Sequence, residues 1–120
     1  MSEVLQNIYL APQAESEEFF HLLSGGAFRL EAIASHGQAN PSGFWYDQDS
    51  DEWVVLLRGS ADLEFDDEET LHLEAGDFLL IEAHRRHRVA MTSNDTVWLA
   101  LHFNRDSCDH EPRELGKLEK

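Results

Sequence analysis

The chain has 120 residues, the size of one domain with a single compact core. Its 24 acidic residues outnumber nine lysines and arginines, and the formal net charge of −15 repels nucleic-acid backbones and anionic membranes. We therefore expect neither as a partner. The first residues carry no basic or apolar leader, and Cys108 is the only cysteine, so we expect a cytoplasmic protein without disulfides.

The first predicted element is a short helix within an N-terminal arm, residues 1–27. Ser16 precedes two glutamates and an apolar run, and the pair Gly25-Gly26 follows that run. A capping hydroxyl, acids in the first turn and a glycine stop are ordinary helix signals. We expect no other helix before the C-terminal tail, residues 104–120, which is polar.

From residue 28 onward the sequence consists of short β-rich runs separated by turn residues. The predicted strands lie near residues 28–35, 43–47, 52–58, 61–66, 70–74, 77–82, 87–92 and 96–103. The predicted turns lie at Arg58-Gly59-Ser60, at 66–69 and at Gly76-Asp77. Eight short strands with tight turns predict an all-β fold, either a closed barrel or two packed sheets, over residues 28–103.

The stretch "LIEAHRRHRV" concentrates histidine and arginine in an otherwise acidic chain. A turn just before His87 and a strand beginning there would send His87, Val89 and Met91 to one face. Arg86 and Arg88 would then point to the other face. This pattern predicts one histidine inside the barrel and arginines at its rim.

Two segments resemble the signatures of the cupin superfamily. "GDFLLIEAHRRH" is similar to G-x5-P-x-G-x2-H-x3-N, with Gly76 as the leading glycine and His87 at the metal-binding histidine. "DEWVVLLRG" is similar to the E-x6-G end of G-x5-H-x-H-x3-4-E-x6-G, with Glu52 as the glutamate and Gly59 as the glycine. The resemblance spans residues 28–103 and implies a small single-domain cupin with a double-stranded β-helix, or jelly-roll barrel.

The sequence also departs from both signatures. Trp45 and Asp47, or Tyr46 and Gln48, replace the H-x-H pair, while Glu82, His84 and Met91 replace the proline, glycine and asparagine of the second signature. The resemblance therefore implies the fold, but the usual site of three histidines and one glutamate does not transfer directly.

The remaining residues still predict a metal site. The candidate ligands are His87, Glu52, Asp47, His84, His36 and His102. Carboxylates with one histidine favour Mn, Fe(II) or Mg, and a second histidine also suits Zn or non-haem iron, so we expect a divalent ion such as Mn, Fe, Ni or Zn. The alternatives are a hydrogen-bonded core histidine at position 87, an arginine-paired acid at position 52 and a solvated turn at position 47.

The arginines have two interpretations. They can pair with the many surrounding acids, or one of them can reach the barrel mouth and hold a carboxylate or phosphate, which guanidinium binds well. The candidate ligand-binding residues are Tyr46, Gln48, Arg58, His84 and Arg86.

Three functions compete at this point. The first is a cupin that binds a divalent metal and a small, anionic organic molecule, as an isomerase, dioxygenase or lyase. The second is a metal-free binding or sensing module whose metal site has decayed, for which the missing H-x-H pair is the argument. The third is an interaction protein, and in all cases we expect a homodimer.

Overall fold

The computed structural model describes residues 5–10, 16–67 and 69–104. Within these ranges it contains eight strands and a single 3-10 turn at Ile8–Leu10. The strands are β1 (Glu18–Ser24), β2 (Phe28–Ser35), β3 (Asp51–Arg58), β4 (Ser60–Phe65), β5 (Thr70–Glu74), β6 (Phe78–Ile81), β7 (His87–Thr92) and β8 (Thr96–Phe103).

The strands form two antiparallel sheets. One has five strands in the order β1-β2-β8-β3-β6, and the other has three strands in the order β5-β4-β7. This arrangement confirms the predicted all-β class. Neighbours in the larger sheet lie far apart in the sequence, because β8 inserts between β2 and β3.

The core lies where the two sheets meet. In β4 every second residue is buried, with Ala61, Leu63 and Phe65 facing inward. This alternation is the period of a strand with one solvated face. The buried cluster consists of these residues with Val54, Leu56, Leu73, Ile81, Trp98 and Ala100. Burial of each large apolar side chain in this cluster contributes roughly 1.5–3 kcal/mol to folding. It therefore fixes which face of each strand points inward.

Seven of the eight predicted strands are confirmed, with ends shifted by at most one residue. The exception is the predicted strand at 43–47. That segment is a loop whose only ladder contact among the described residues is an isolated bridge between Tyr46 and His87. The strand predicted to begin at His87 is β7, and the turn just before it is also present.

The predicted N-terminal helix is wrong. Its residues form β1, which pairs with β2 at the edge of the larger sheet, and Gly25-Gly26 closes the hairpin, with the Gly25 amide donating to the Phe28 carbonyl. A helix of two turns is marginal in water, whereas the edge of β2 offers a full ladder of backbone partners. Tertiary pairing therefore overrides the local helix signals.

Some expectations lie outside the described residues. These are the tail from residue 105 onward, including Cys108, and parts of the N-terminal arm. In the part of the chain that the structure describes, no helix has the length and apolar character that a membrane crossing needs.

Candidate functional site

A cavity of about 330 Å³ lies between the two sheets. Its lining residues are Glu17, Phe19, Arg29, Glu31, Ile33, Tyr46, Gln48, Glu52, Val54, Leu63, Ile81, His87, Val89, Trp98, Ala100 and His102. This volume is at the lower end of the range for small-molecule sites, and mostly apolar walls with a few converging polar groups are typical of such sites. Among the lining residues, Phe19 of β1 is 55% exposed and Arg29 of β2 is also exposed, whereas Glu52 and His87 are buried, so we place the open end of the cavity at β1 and β2.

His87 is the first residue of β7 and is only 6% exposed. Its Nδ1 lies 2.8 Å from the carbonyl oxygen of Arg85, which can only accept a hydrogen bond. We therefore assign a proton to Nδ1, so that in the neutral ring Nε2 carries a lone pair. Metal-binding histidines are commonly held in this way, by a backbone carbonyl at the second ring nitrogen.

Glu52 faces His87 across the cavity. It lies on β3, is 9% exposed, and its Oε1 is 3.5 Å from His87 Nε2. Among the described residues Oε1 has no hydrogen-bond partner. A buried carboxylate oxygen without a partner is costly, because the charge has lost its hydration. The pair therefore leaves room for a proton or a cation between two basic atoms.

His102 and Glu31 form a second pair beside the first. His102 Nε2 donates to Glu31 Oε1 at 2.9 Å and lies 4.0 Å from Glu52 Oε2. His102 Nδ1 is buried without a hydrogen-bond partner in the described part of the chain. Strand register explains the grouping, since His102 of β8 lies directly opposite Glu52 of β3.

Tyr46 and Gln48 reach the cavity from the loop before β3. The Tyr46 ring stacks on the His87 ring, with centroids 5.5 Å apart. Burial raises the pKa of the Tyr46 phenol. A hydrogen bond with Asn40 lowers it by less than burial raises it, and the nearby carboxylates of Glu17, Glu52 and Glu31 each add a smaller increase. The phenol thus stays neutral. Gln48 Oε1 is buried and has no hydrogen-bond partner among the described residues.

A second loop holds this first loop in place. The His84 amide donates to the Gln48 carbonyl at 2.8 Å, and the Ala83 amide donates to Asp51 Oδ1 at 2.8 Å. His84 has a left-handed backbone with φ of 65°. Its ring contacts Asp47 Oδ1 at 2.9 Å, and this hydrogen bond raises the pKa of His84. These contacts position Tyr46 and Gln48 against the cavity.

The remaining candidates lie elsewhere. Asp47 and His84 pair with each other on the surface, and His36 bonds the Asn94 carbonyl through Nδ1, so none of these three lines the cavity. Arg58 lies over the Tyr9 ring, and Arg86 pairs with Asp66.

The rim arginines follow the first interpretation. Arg85 pairs with Glu69 at 2.9 Å and Arg88 with Glu64 at 3.0 Å, in addition to the Arg86 pair. In the geometry observed for the described residues, no group of three or more histidine, cysteine, aspartate or glutamate side chains is set to hold a metal ion. Glu52 and His87 supply two donors that fit a cation, and His102 supplies a third only if its Nε2 leaves Glu31.

Sequence reasoning missed three polar residues of the cavity: Glu17, Arg29 and Glu31. In β2, "FRLEAIAS", Arg29 and Glu31 alternate with Leu30 and Ala32. This alternation shows that the two charged side chains share one face of the strand. Only the pairing of β2 with β8 turns that face toward the cavity.

Comparisons with known proteins agree on one family. Residues 30–102 match the family described as Cupin domain. A structure from Ralstonia eutropha, named a putative mannose-6-phosphate isomerase, is 41% identical with a TM-score of 0.79, covering 85% of this chain and 99% of that one.

Other solved structures share the fold at lower identity. A cupin superfamily protein from Desulfitobacterium hafniense is 16% identical with a TM-score of 0.71, over 87% of this chain and 94% of that one. An RmlC-like cupin from Desulfovibrio desulfuricans is 12% identical with a TM-score of 0.65, over 85% and 97%. No curated protein sequence matches the chain. With the family match covering more than half of its residues, this chain belongs to the cupin superfamily.

Proposed function

We propose that the chain is a small metal-dependent cupin that binds a divalent ion at Glu52 and His87, with His102 as the third donor. Beside the ion it would bind a small, oxygen-rich organic molecule in the 330 Å³ cavity. We further propose that it acts on this molecule as an isomerase. The proposed location is the cytoplasm, supported by the single cysteine of the sequence.

One observation carries the metal proposal. Glu52 Oε1 is buried without a hydrogen-bond partner among the described residues, and it faces His87 Nε2 at 3.5 Å. His87 Nδ1 is engaged by the Arg85 carbonyl, so Nε2 is the nitrogen that remains to bind a ligand. A carboxylate oxygen and an imidazole nitrogen are donors that Mn, Fe, Ni and Zn all accept.

The surrounding residues suit proton transfer at a bound ligand. Glu31 accepts the Nε2 proton of His102 in this structure. Once that nitrogen turns to the ion, the Glu31 carboxylate can take up and return a proton at the ligand. The neutral phenol of Tyr46 can donate to a ligand oxygen. The apolar walls, which include Trp98, Val89 and Leu63, exclude water from the reacting atoms. A bound divalent ion would supply polarisation of a ligand carbonyl or hydroxyl.

The relative from Ralstonia eutropha supports the isomerase type. It is 41% identical to this chain, over 99% of its own length and 85% of this one, and it carries the name of a sugar-phosphate isomerase. Interconversion of an aldose and a ketose moves a proton between adjacent carbons, and this needs a group that both accepts and returns it. The Glu31 carboxylate, which lines the cavity, is such a group.

Solvent exchange tests the isomerase proposal. The metal-supplemented protein is incubated in D2O with aldose and ketose phosphates and with the unphosphorylated sugars, and deuterium at the carbon next to the carbonyl is followed by NMR. We expect incorporation that Glu31→Gln slows at least tenfold, the usual contribution of a proton-transfer group being about 10²–10⁴-fold. His72→Gln, a surface control, should exchange like the wild type. Equal exchange in Glu31→Gln and wild type would contradict the assignment.

A second candidate is a metal-free binding module. The observation that favours it is the His102–Glu31 hydrogen bond, which already satisfies the nitrogen a third ligand would need. In that case Mn, Fe, Ni and Zn should leave the melting temperature unchanged, whereas a cavity ligand should raise it. A rise with one of these metals that Glu52→Gln abolishes would exclude this alternative.

We also propose a homodimer formed through the outer face of β3 and β6. There Trp53 pairs with Leu80 and Val55 with Phe78, all apolar, and Phe78 is 43% exposed. A second copy offers the same patch in a two-fold contact, which is the commonest oligomer geometry. Light scattering should give twice the chain mass for wild type and the monomer mass for Phe78→Asp. A monomeric wild type at micromolar concentration would contradict this assembly.

A further inference from the structure

Arg29 differs from every other arginine that the structure describes. Arg58 lies over Tyr9, and Arg85, Arg86 and Arg88 pair with acids. Arg29 lines the cavity, yet it forms no ion pair, hydrogen bond or ring contact with any described residue. In a chain with 24 acidic residues, an arginine without an acidic partner among the described residues is unexpected.

The acids that line the cavity together with Arg29 have other partners. Glu17 accepts a hydrogen bond from Ser35 Oγ at 2.6 Å, Glu31 accepts one from His102, and Glu52 faces His87. All three carboxylates line the same cavity, and each has its contact with another residue rather than an ion pair with Arg29. The guanidinium fork, with five donors, is therefore available to a molecule that enters the cavity.

Strand register fixes the distance from Arg29 to the proposed metal donors. Arg29 of β2 lies opposite His102 of β8, which in turn lies opposite Glu52 of β3. These three residues form one row across the sheet on the cavity face. Adjacent strands are about 4.8 Å apart, so the backbones at the two ends of the row are about 10 Å apart.

We propose that Arg29 binds an anionic group, carboxylate or phosphate, at one end of the ligand whose other end lies at Glu52 and His87. This inference rests on the cavity ligand of the proposed function and adds its chemical class. The ligand is a small acid or phosphate ester with its charge at the exposed mouth and its oxygen-rich end inside. Arg29 thus takes the role that the sequence suggested for Arg58 or Arg86.

The electrostatics of the cavity agree with this polarity. Glu31 and Glu52 are largely buried in the cavity and repel an anion there, whereas Arg29 is exposed and is the only arginine or lysine among the lining residues. An anionic ligand is therefore oriented with its charged group outward. A bidentate guanidinium contact with carboxylate or phosphate gives strength and direction to that orientation.

The test is a titration with two simple anions, inorganic phosphate and malonate, at constant ionic strength. Binding is followed by NMR through the side-chain Nε–H signal of Arg29 and through Trp98. Wild type is compared with Arg29→Gln, with Arg29→Lys, and with Arg86→Gln as a control that removes the same charge outside the cavity. Arg29 is exposed, so these variants should fold, and unchanged amide spectra confirm it.

We expect saturable binding of at least one anion, weakened about ten- to hundredfold in Arg29→Gln, partly restored in Arg29→Lys and unchanged in Arg86→Gln. Preference for phosphate or for malonate distinguishes a phosphate ester from a carboxylic acid. Equal affinity of Arg29→Gln and wild type, or no saturable binding in the wild type, overturns the inference.

Metal content separates the two proposals. Absence of metal from wild type, together with anion binding that depends on Arg29, contradicts the metal-dependent function and leaves the anion site standing. Metal held by Glu52 and His87, together with anion binding that does not depend on Arg29, contradicts the anion site and leaves the metal-dependent function standing.

Discussion

At the scale of single residues, His84 shows how a side chain outside the cavity can support it. Its left-handed backbone, with φ of 65°, costs energy for a residue with a Cβ. The contact of its ring with Asp47 and the hydrogen bond of its amide to the Gln48 carbonyl offset that cost. The signature glycine at this position would supply the backbone but not the ring contact.

The raised pKa of His84 gives this contact a pH dependence. The unfolded pKa is about 6.5, and the Asp47 carboxylate raises the folded pKa above it. The contribution to stability is therefore complete below the unfolded pKa and is lost as pH rises through the folded pKa. His84→Asn, which tolerates the same backbone, should be destabilised relative to wild type more at about pH 5.5 than at about pH 8.

Urea unfolding at both pH values measures this difference. His72 contacts Asp62 and Glu74 on the opposite sheet and is unchanged in both proteins, so its own titration cancels in the comparison. A stability difference that is equal at the two pH values, or larger at the higher one, would contradict the role given to the His84–Asp47 contact.

At the scale of elements, the hairpin between β3 and β4 contains a glycine that an L-residue replaces only at a cost. Gly59 has φ of 83°, and a Cβ added there would lie 2.9 Å from the backbone Cα of Thr96. Gly76, before β6, has a similar φ of 96° but no atom within 4 Å of an added Cβ. Both positions have a positive φ, which would strain any residue with a Cβ. They differ in the room that a Cβ would find there.

Two alanine variants separate these effects. Gly76→Ala should cost about 1–2 kcal/mol of unfolding free energy from the left-handed backbone alone. Gly59→Ala should cost more than that, because β8 must also move away. Chemical denaturation of both variants gives the comparison, and a Gly59→Ala protein as stable as Gly76→Ala would show that the approach of β8 is not tight.

Local patterns predicted most of the elements. Alternation in β4 and β5 and the turns at Gly59 and Gly76 have physical causes within a few residues, and these elements were found at the expected places. β1 was missed because its partner, β2, supplies a ladder that no local signal reveals. The aromatic residues of the loop at 43–47 are typical of strands, so they wrongly predict a strand there. Tyr46 instead stacks on the His87 ring.

At the scale of the whole molecule, the candidate site exists because distant strands become neighbours. His87, Glu52 and His102 come from β7, β3 and β8, and the family resemblance pointed to the first two of these positions. Glu31 and Arg29 were missed because the pairing of β2 with β8 decides that they reach the cavity. That pairing joins residues about 70 positions apart in the sequence, which local periodicity cannot reveal.

The most direct test of the proposed metal site is metal analysis of untagged protein purified without chelator or immobilised metal. Wild type is compared with Glu52→Gln and His87→Gln, and His72→Gln serves as the control because its ring pairs with acids on the surface. Each cavity variant removes one of the three proposed donors, so its metal affinity should fall at least tenfold.

We expect near-stoichiometric Mn, Fe, Ni or Zn in wild type and in His72→Gln, little metal in the two cavity variants, and unchanged far-ultraviolet spectra in all four. Wild type that contains no metal and takes up none on soaking, or cavity variants that retain full metal content, would contradict the account.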